Sequence, residues 1–188
     1  MTRRTATRAS WIVVFASALL ACASNPAREP APFPASWSGV WRGQVDVHRP
    51  DGPAGDFVVE LEIRPTETPD RWTWTTRFEG PAGSQERPYE LLVRDAERGT
   101  FAIDEKNGIV LEAQLLDGAL VSWFEVAGSH LVTHQELLDA GTASERIRYQ
   151  ILWSEDDATV RTGDTGGTPE VLCHPLATLQ SGTLTRVR

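Results

Sequence analysis

Four histidines and two cysteines are the residues of this 188-residue chain best suited to metal or nucleophilic chemistry. His130 and His134 stand four apart, a spacing that on a helix would let both imidazoles share a zinc ion. Their neighbours argue otherwise. Leu131, Thr133, Gln135 and Leu137 alternate as in a strand. There, four rises of about 3.3 Å hold the rings roughly 13 Å apart. His48 and His174 lie further off, and none of the four carries a motif supporting haem ligation. Cys173-His174 offers a nucleophile beside a base. Adjacent strand residues point in opposite directions, however, and Pro175 places the pair in a loop. Ser154-Glu155-Asp156-Asp157 lacks the spaced ligands of a calcium loop and reads as a solvated acidic loop. Gly163 to Thr168 lacks the lysine of a phosphate loop and reads as a flexible connection. Sequence spacing therefore yields no catalytic set, no metal site and no cofactor; carboxylates that a fold brings together from distant strands leave no such trace.

The second cysteine points to a modification. Arg3, Arg4 and Arg8 precede an uncharged run from Ala9 to Ala21, too short to span a bilayer and flanked as a secretory signal is. It ends Leu19-Leu20-Ala21-Cys22, which resembles a bacterial lipobox. The resemblance implies cleavage before Cys22 and lipidation of that residue, with enough acyl chains for a stable anchor. Ala23 is not the aspartate of an inner-membrane retention signal, so the expected place is the outer membrane, facing the periplasm. A plain secretory signal is the alternative, since Ala16-Ser17-Ala18 and Ala21-Cys22-Ala23 both read as small-x-small cleavage sites. Residues 22–36 carry prolines at 26, 30, 32 and 34 and read as a lipidated cysteine on a semi-rigid tether, or as a plain disordered arm.

Loss of residues 1–21 would remove three arginines and no acid, leaving 15 basic against 26 acidic residues, a net charge of −11. Such a surface excludes nucleic acid as a partner and disfavours docking of the domain face on anionic lipid. With Cys22 lipidated, Cys173 has no disulfide partner in the chain.

Residues 37–188 must supply whatever positions a site, and they read as strand after strand. Trp41/Val45/Val47, Phe57/Val59/Leu61/Ile63 and Trp72/Trp74/Thr76/Phe78 recur with period two. So do Tyr89/Leu91/Val93, Phe101/Ile103, Ile109/Leu111/Ala113/Leu115 and Leu120/Ser122/Phe124/Val126. Leu131/Thr133/Gln135/Leu137 and Ile147/Tyr149/Ile151/Trp153 follow, with a last strand near Gly182 to Arg188. No amphipathic helix interrupts them. Asn107-Gly108 predicts a two-residue type I′ hairpin. About 8–10 short strands with one dry face predict an all-β, antiparallel up-and-down barrel, because closure removes exposed edges.

Ser38-Gly39-Val40-Trp41 opens the first strand and resembles the Gly-x-Trp with which lipocalins and related calycin barrels begin. That resemblance, spanning residues 37–188, implies that Trp41 plugs the closed end and that an arginine of the last strand, Arg186 or Arg188, lies across its ring. The wider pattern, including Asp104 to Ile109, is similar to uncharacterised bacterial lipocalin-like lipoproteins. A small barrel either fills its interior or leaves room for one ligand. Trp72, Trp74, Phe78, Tyr89, Phe101, Phe124, Tyr149 and Trp153 are the candidate ligand wall, or simply core. The expected function is an anchored envelope lipoprotein binding a hydrophobic small molecule. The alternatives are a protein-binding lipoprotein, such as a hydrolase inhibitor or assembly factor, and a barrel enzyme; any protein partner is unidentified. Trp123 and Val121 fall on the opposite face from Phe124 and predict an exposed patch.

Overall fold

Period-two alternation becomes a closed wall. The computed structural model describes residues 31–163 and 166–187, so Cys22, the run before it and the tether up to residue 30 lie outside the described residues. Nine strands follow one another up and down: β1 (Gly39–Arg49), β2 (Gly52–Ile63), β3 (Arg71–Gly80), β4 (Gly83–Asp95) and β5 (Thr100–Asp104), then β6 (Val110–Leu116), β7 (Ala119–Val126), β8 (Ser129–Leu138) and β9 (Arg146–Glu155). A short hairpin, β10 (Val160–Thr162) and β11 (Val171–Cys173), stands outside the barrel wall before β12 (Leu176–Arg186). β12 then pairs antiparallel with both β9 and β1 and closes a ten-stranded barrel. Each of the ten alternating segments is one of these ten strands. Helical structure among the described residues is confined to two single turns, Ala35–Trp37 and Asp156–Ala158.

The apolar phase faces inward. Trp41, Val45, Val59, Leu61, Ile63, Leu91, Phe101, Ala113, Ile147 and Leu184 are all essentially inaccessible. The polar phase makes a charge ladder on the outside of β1 to β4. Arg42 stands opposite Glu60, Glu60 opposite Arg77 and Arg77 opposite Glu86, so the signs alternate across four strands. Arg42 also pairs with Glu79 at 2.7 Å, and Arg77 with Glu60 at 2.9 Å. These arginines hold the carboxyls of Glu62 (through Arg64 first) and Glu79 (through Arg42) below their ordinary range; Lys106 and Arg71 do the same for Glu90. A carboxyl depressed in the folded state adds stability above its unfolded pKa and loses it as pH falls through the folded one. The midpoint of thermal unfolding should therefore drop progressively between about pH 5 and about pH 3, read by circular dichroism melts. An unchanged midpoint across that range would mean the ladder contributes nothing.

One turn departs from expectation. Asn107-Gly108 does not form a two-residue type I′ turn: Lys106 and Gly108 take positive φ, and the loop holds three residues between Glu105 and Ile109, joined by a 3.0 Å backbone bond. Side chains set this geometry. Asp104 Oδ1 accepts from the Lys106 N–H at 2.9 Å, and Asn107 Oδ1 accepts from the Ile109 N–H, also at 2.9 Å.

Candidate ligand-binding cavity

The closed end of the barrel is a stack of aromatics. Trp41 is fully buried, and its indole N–H donates to the Trp37 carbonyl at 2.8 Å. Phe33, in the stretch read as tether, stands edge-on to Trp37 and Phe101 with ring centroids 4.9 and 4.8 Å apart. Folded structure thus begins before Trp37. The Arg186 guanidinium carbon lies 4.1 Å from the Trp41 ring centroid, and its Nε donates to Glu145 Oε1 at 2.5 Å. Its Nη1 also donates to the Ser38 carbonyl. Gly39 permits that approach: a Cβ there would fall inside the Arg186 guanidinium, and its φ of 144° is one that side chains rarely adopt. The glycine and tryptophan of the Gly-x-Trp pattern therefore serve one device, room for the arginine and a ring for it to cover.

Above this floor the barrel is hollow. A cavity of about 130 Å³ is lined by Trp74, Phe78, Tyr89, Phe124 and Tyr149 together with aliphatic and hydroxyl side chains. Phe78, Arg87, Leu131 and Ile151 also border a wider mouth of about 660 Å³, walled by Phe57, Trp153 and the Gly80–Gly83 turn. Five of the eight candidate wall residues thus surround the inner cavity, and Trp153 stands at the mouth. Trp72 and Phe101 border neither. Phe101 belongs to the floor, and Trp72 sits at the start of β3, where it bridges to Pro65. Both are inward in phase but pack in the core below the cavity.

Polar groups share the interior. Thr76, Gln135 and Tyr149 line the cavity and are each only 6% exposed. Thr76 and Gln135 stand in the apolar phase of β3 and β8, and a polar residue in that phase is the signal that could have marked them. Arg87 and Glu105 also line the cavity, and the Arg87 guanidinium carbon lies 5.0 Å from the Phe78 ring centroid. Burial raises the Tyr89 phenol, Glu105 raises it further and Arg87 opposes both. Burial pushes Tyr149 up to about 12, with Arg87 again opposing, so this phenol stays a neutral donor at any ordinary pH.

The residues first considered for chemistry lie elsewhere. His130 and His134 both sit in β8, and neither lines the interior cavity. His130 lies between Glu125, 3.1 Å from its Nδ1, and Asp156 at its Nε2, with the His174 ring 4.3 Å away. His174 Nδ1 is 3.0 Å from Thr159 Oγ1, and Cys173 is exposed. Asp156 and Glu155 are not merely solvated: the first meets His130, the second accepts from Ser129 Oγ at 2.9 Å. Among the described residues no three His, Cys, Asp or Glu converge as a metal site. Trp123 is 72% exposed and, with Val132 and Leu152, borders an outer groove.

A closed antiparallel barrel with a tryptophan–arginine floor and an open, aromatic-walled cup has the lipocalin-like barrel fold. A solved structure agrees on the fold. The S-type phycobiliprotein lyase CPES from Guillardia theta is similar with a TM-score of 0.52 over 82% of this chain and 90% of its own, at 11% identity. Rv2717c from M. tuberculosis matches over 82% of this chain and 94% of its own at 11% identity, but its TM-score of 0.37 adds nothing to the argument. No family model and no curated protein matches the chain. At 11% identity the likeness defines the fold alone.

Proposed function

We propose that the protein is an envelope lipoprotein whose barrel binds a hydrophobic small molecule. The carrying observation is the aromatic-walled cavity opening through Phe78, Leu131 and Ile151 into the mouth. Ligand sites are concave, mostly apolar and furnished with a few placed polar groups, and this interior has that make-up. A folded lyase with the same barrel is compatible with such a use, although the shared fold carries no activity across. The Leu19 to Cys22 pattern supports an anchor at Cys22, with the acidic barrel held off the outer membrane on the periplasmic side.

Two experiments separate the parts of this reading. Native mass spectrometry of the protein purified from its own host should show a co-purifying apolar molecule. Protein that arrives ligand-free but in complex with a hydrolase would replace the carrier with the protein-binding alternative, for which exposed Trp123 is a ready contact. Cys22→Ser should move the protein from the membrane fraction to the soluble fraction on fractionation. Continued membrane attachment of that variant would defeat the anchor.

A further inference from the structure

The inner cavity is not uniformly apolar, and its polar groups have not been matched within the protein. Thr76, Gln135 and Tyr149 are each more than nine-tenths buried. None has a side-chain hydrogen bond to another described residue. Nor are their polar atoms sealed into packing, as His134 Nδ1, the Trp153 indole nitrogen and the Thr178 hydroxyl are. The hydroxyls and amide of the three therefore face the cavity itself. A buried polar group left unpaired is destabilising, so an alkyl chain pushed down to this level would leave several such groups unmatched.

Their placement is coherent. Gln135 and Tyr149 are direct cross-strand partners on β8 and β9, so amide and phenol lie side by side at one height. Thr76, on β3, comes from the opposite wall, five strands round the ten-stranded barrel. Two charges of opposite sign, Arg87 and Glu105, also line this space, and Arg87 lies over Phe78, which borders the mouth as well. The space, about 130 Å³, is that of one ring, since an apolar cavity of about 150 Å³ takes benzene.

We infer that the bound molecule enters with an oxygen-bearing ring, its oxygen meeting Gln135 and Tyr149, while its apolar remainder fills the mouth between Phe57, Phe78 and Trp153. This rests on the carrier reading and narrows it, from any hydrophobic molecule to one with a hydroxylated or carbonyl-bearing ring at its leading end. A site built to hydrogen-bond such an oxygen rejects the analogue that lacks it.

The test uses two probes of equal shape, para-fluorophenol and para-fluorotoluene, titrated into the full-length protein and followed by fluorine NMR. The phenol should bind at least about tenfold tighter, the value of one net hydrogen bond. Tyr149→Phe and Gln135→Leu should each shrink that preference while circular dichroism shows the barrel intact. Equal binding of the two probes, or tighter binding of the toluene, overturns the inference and leaves the carrier standing. So does a phenol preference untouched by both variants. Should neither probe bind while the apolar dye Nile red does, the ring inference fails alone; should all three fail to bind, the carrier reading fails with it.

Discussion

Trp41→Ala is expected to lower the stability of the barrel by about 4 kcal/mol, a large fraction of what a domain of this size possesses. The side chain is fully buried, donates to Trp37 and carries Arg186 on its face, so truncation removes packing, a hydrogen bond and a cation–π contact at once. Thermal melts should show the midpoint about 8–16 °C lower. A loss under about 1 kcal/mol would mean that Phe33, Trp37 and Phe101 hold the floor without it. The arginine's share can be isolated. A double-mutant cycle of Trp41→Ala with Arg186→Ala should return a coupling of about 1–2 kcal/mol.

The seam that closes the barrel should be as sensitive to a single methyl group. Gly43 on β1 and Gly182 on β12 stand where each strand's backbone leaves no room for a Cβ on the other. A Cβ at Gly43 would overlap the Thr183 carbonyl oxygen, and one at Gly182 would overlap the Gln44 carbonyl oxygen. Both obstacles are backbone, which cannot swing aside as a side chain does. The ladder is already interrupted here: the pairs on either side are Arg42–Thr185 and Val45–Gly182, with none between. Gly182→Ala should therefore cost about 3 kcal/mol, read by urea denaturation, and Gly43→Ala a similar amount. A more telling sign would be loosening of this one seam, seen as faster amide hydrogen exchange in β1 and β12 than in β5 to β8. Alanine variants as stable as the parent would show that β1 and β12 do not meet this closely.

Which residues face inward was legible from alternation alone, because a strand repeats every two residues and a barrel has one dry side. Height along the barrel axis was not. It depends on how successive turns offset the strands, and alternation is blind to that offset. Trp74 and Phe101 thus look equivalent in sequence, yet one borders the cavity and the other lies in the floor. Phe33 was hidden for a different reason: the prolines on either side of it mark an extended tether and say nothing of the ring that packs on Phe101. The β10–β11 hairpin left no periodic trace, since each strand has three residues and all six are exposed. The seam glycines gave no signal either; they matter through contacts with a strand about 140 residues away in the chain, a closeness only closure creates. His130 and His174 likewise meet across 44 positions.

Cavity and floor divide the interior between them. Trp74 marks the boundary, its ring 6.4 Å from that of Trp37 below and its other side on the cavity. The floor carries stability and the cup above it is left free for a ligand. Thr133 lines the cup and takes no part in the floor, so Thr133→Trp should fill the inner space without touching Trp41 or Arg186. The most direct measurement is a Nile red titration of the parent protein and this variant, followed by dye fluorescence. The parent should show one saturable site with blue-shifted emission, and Thr133→Trp should lose most of that binding. Equal binding by both, or none by the parent, would contradict the claim that the barrel interior is the binding site.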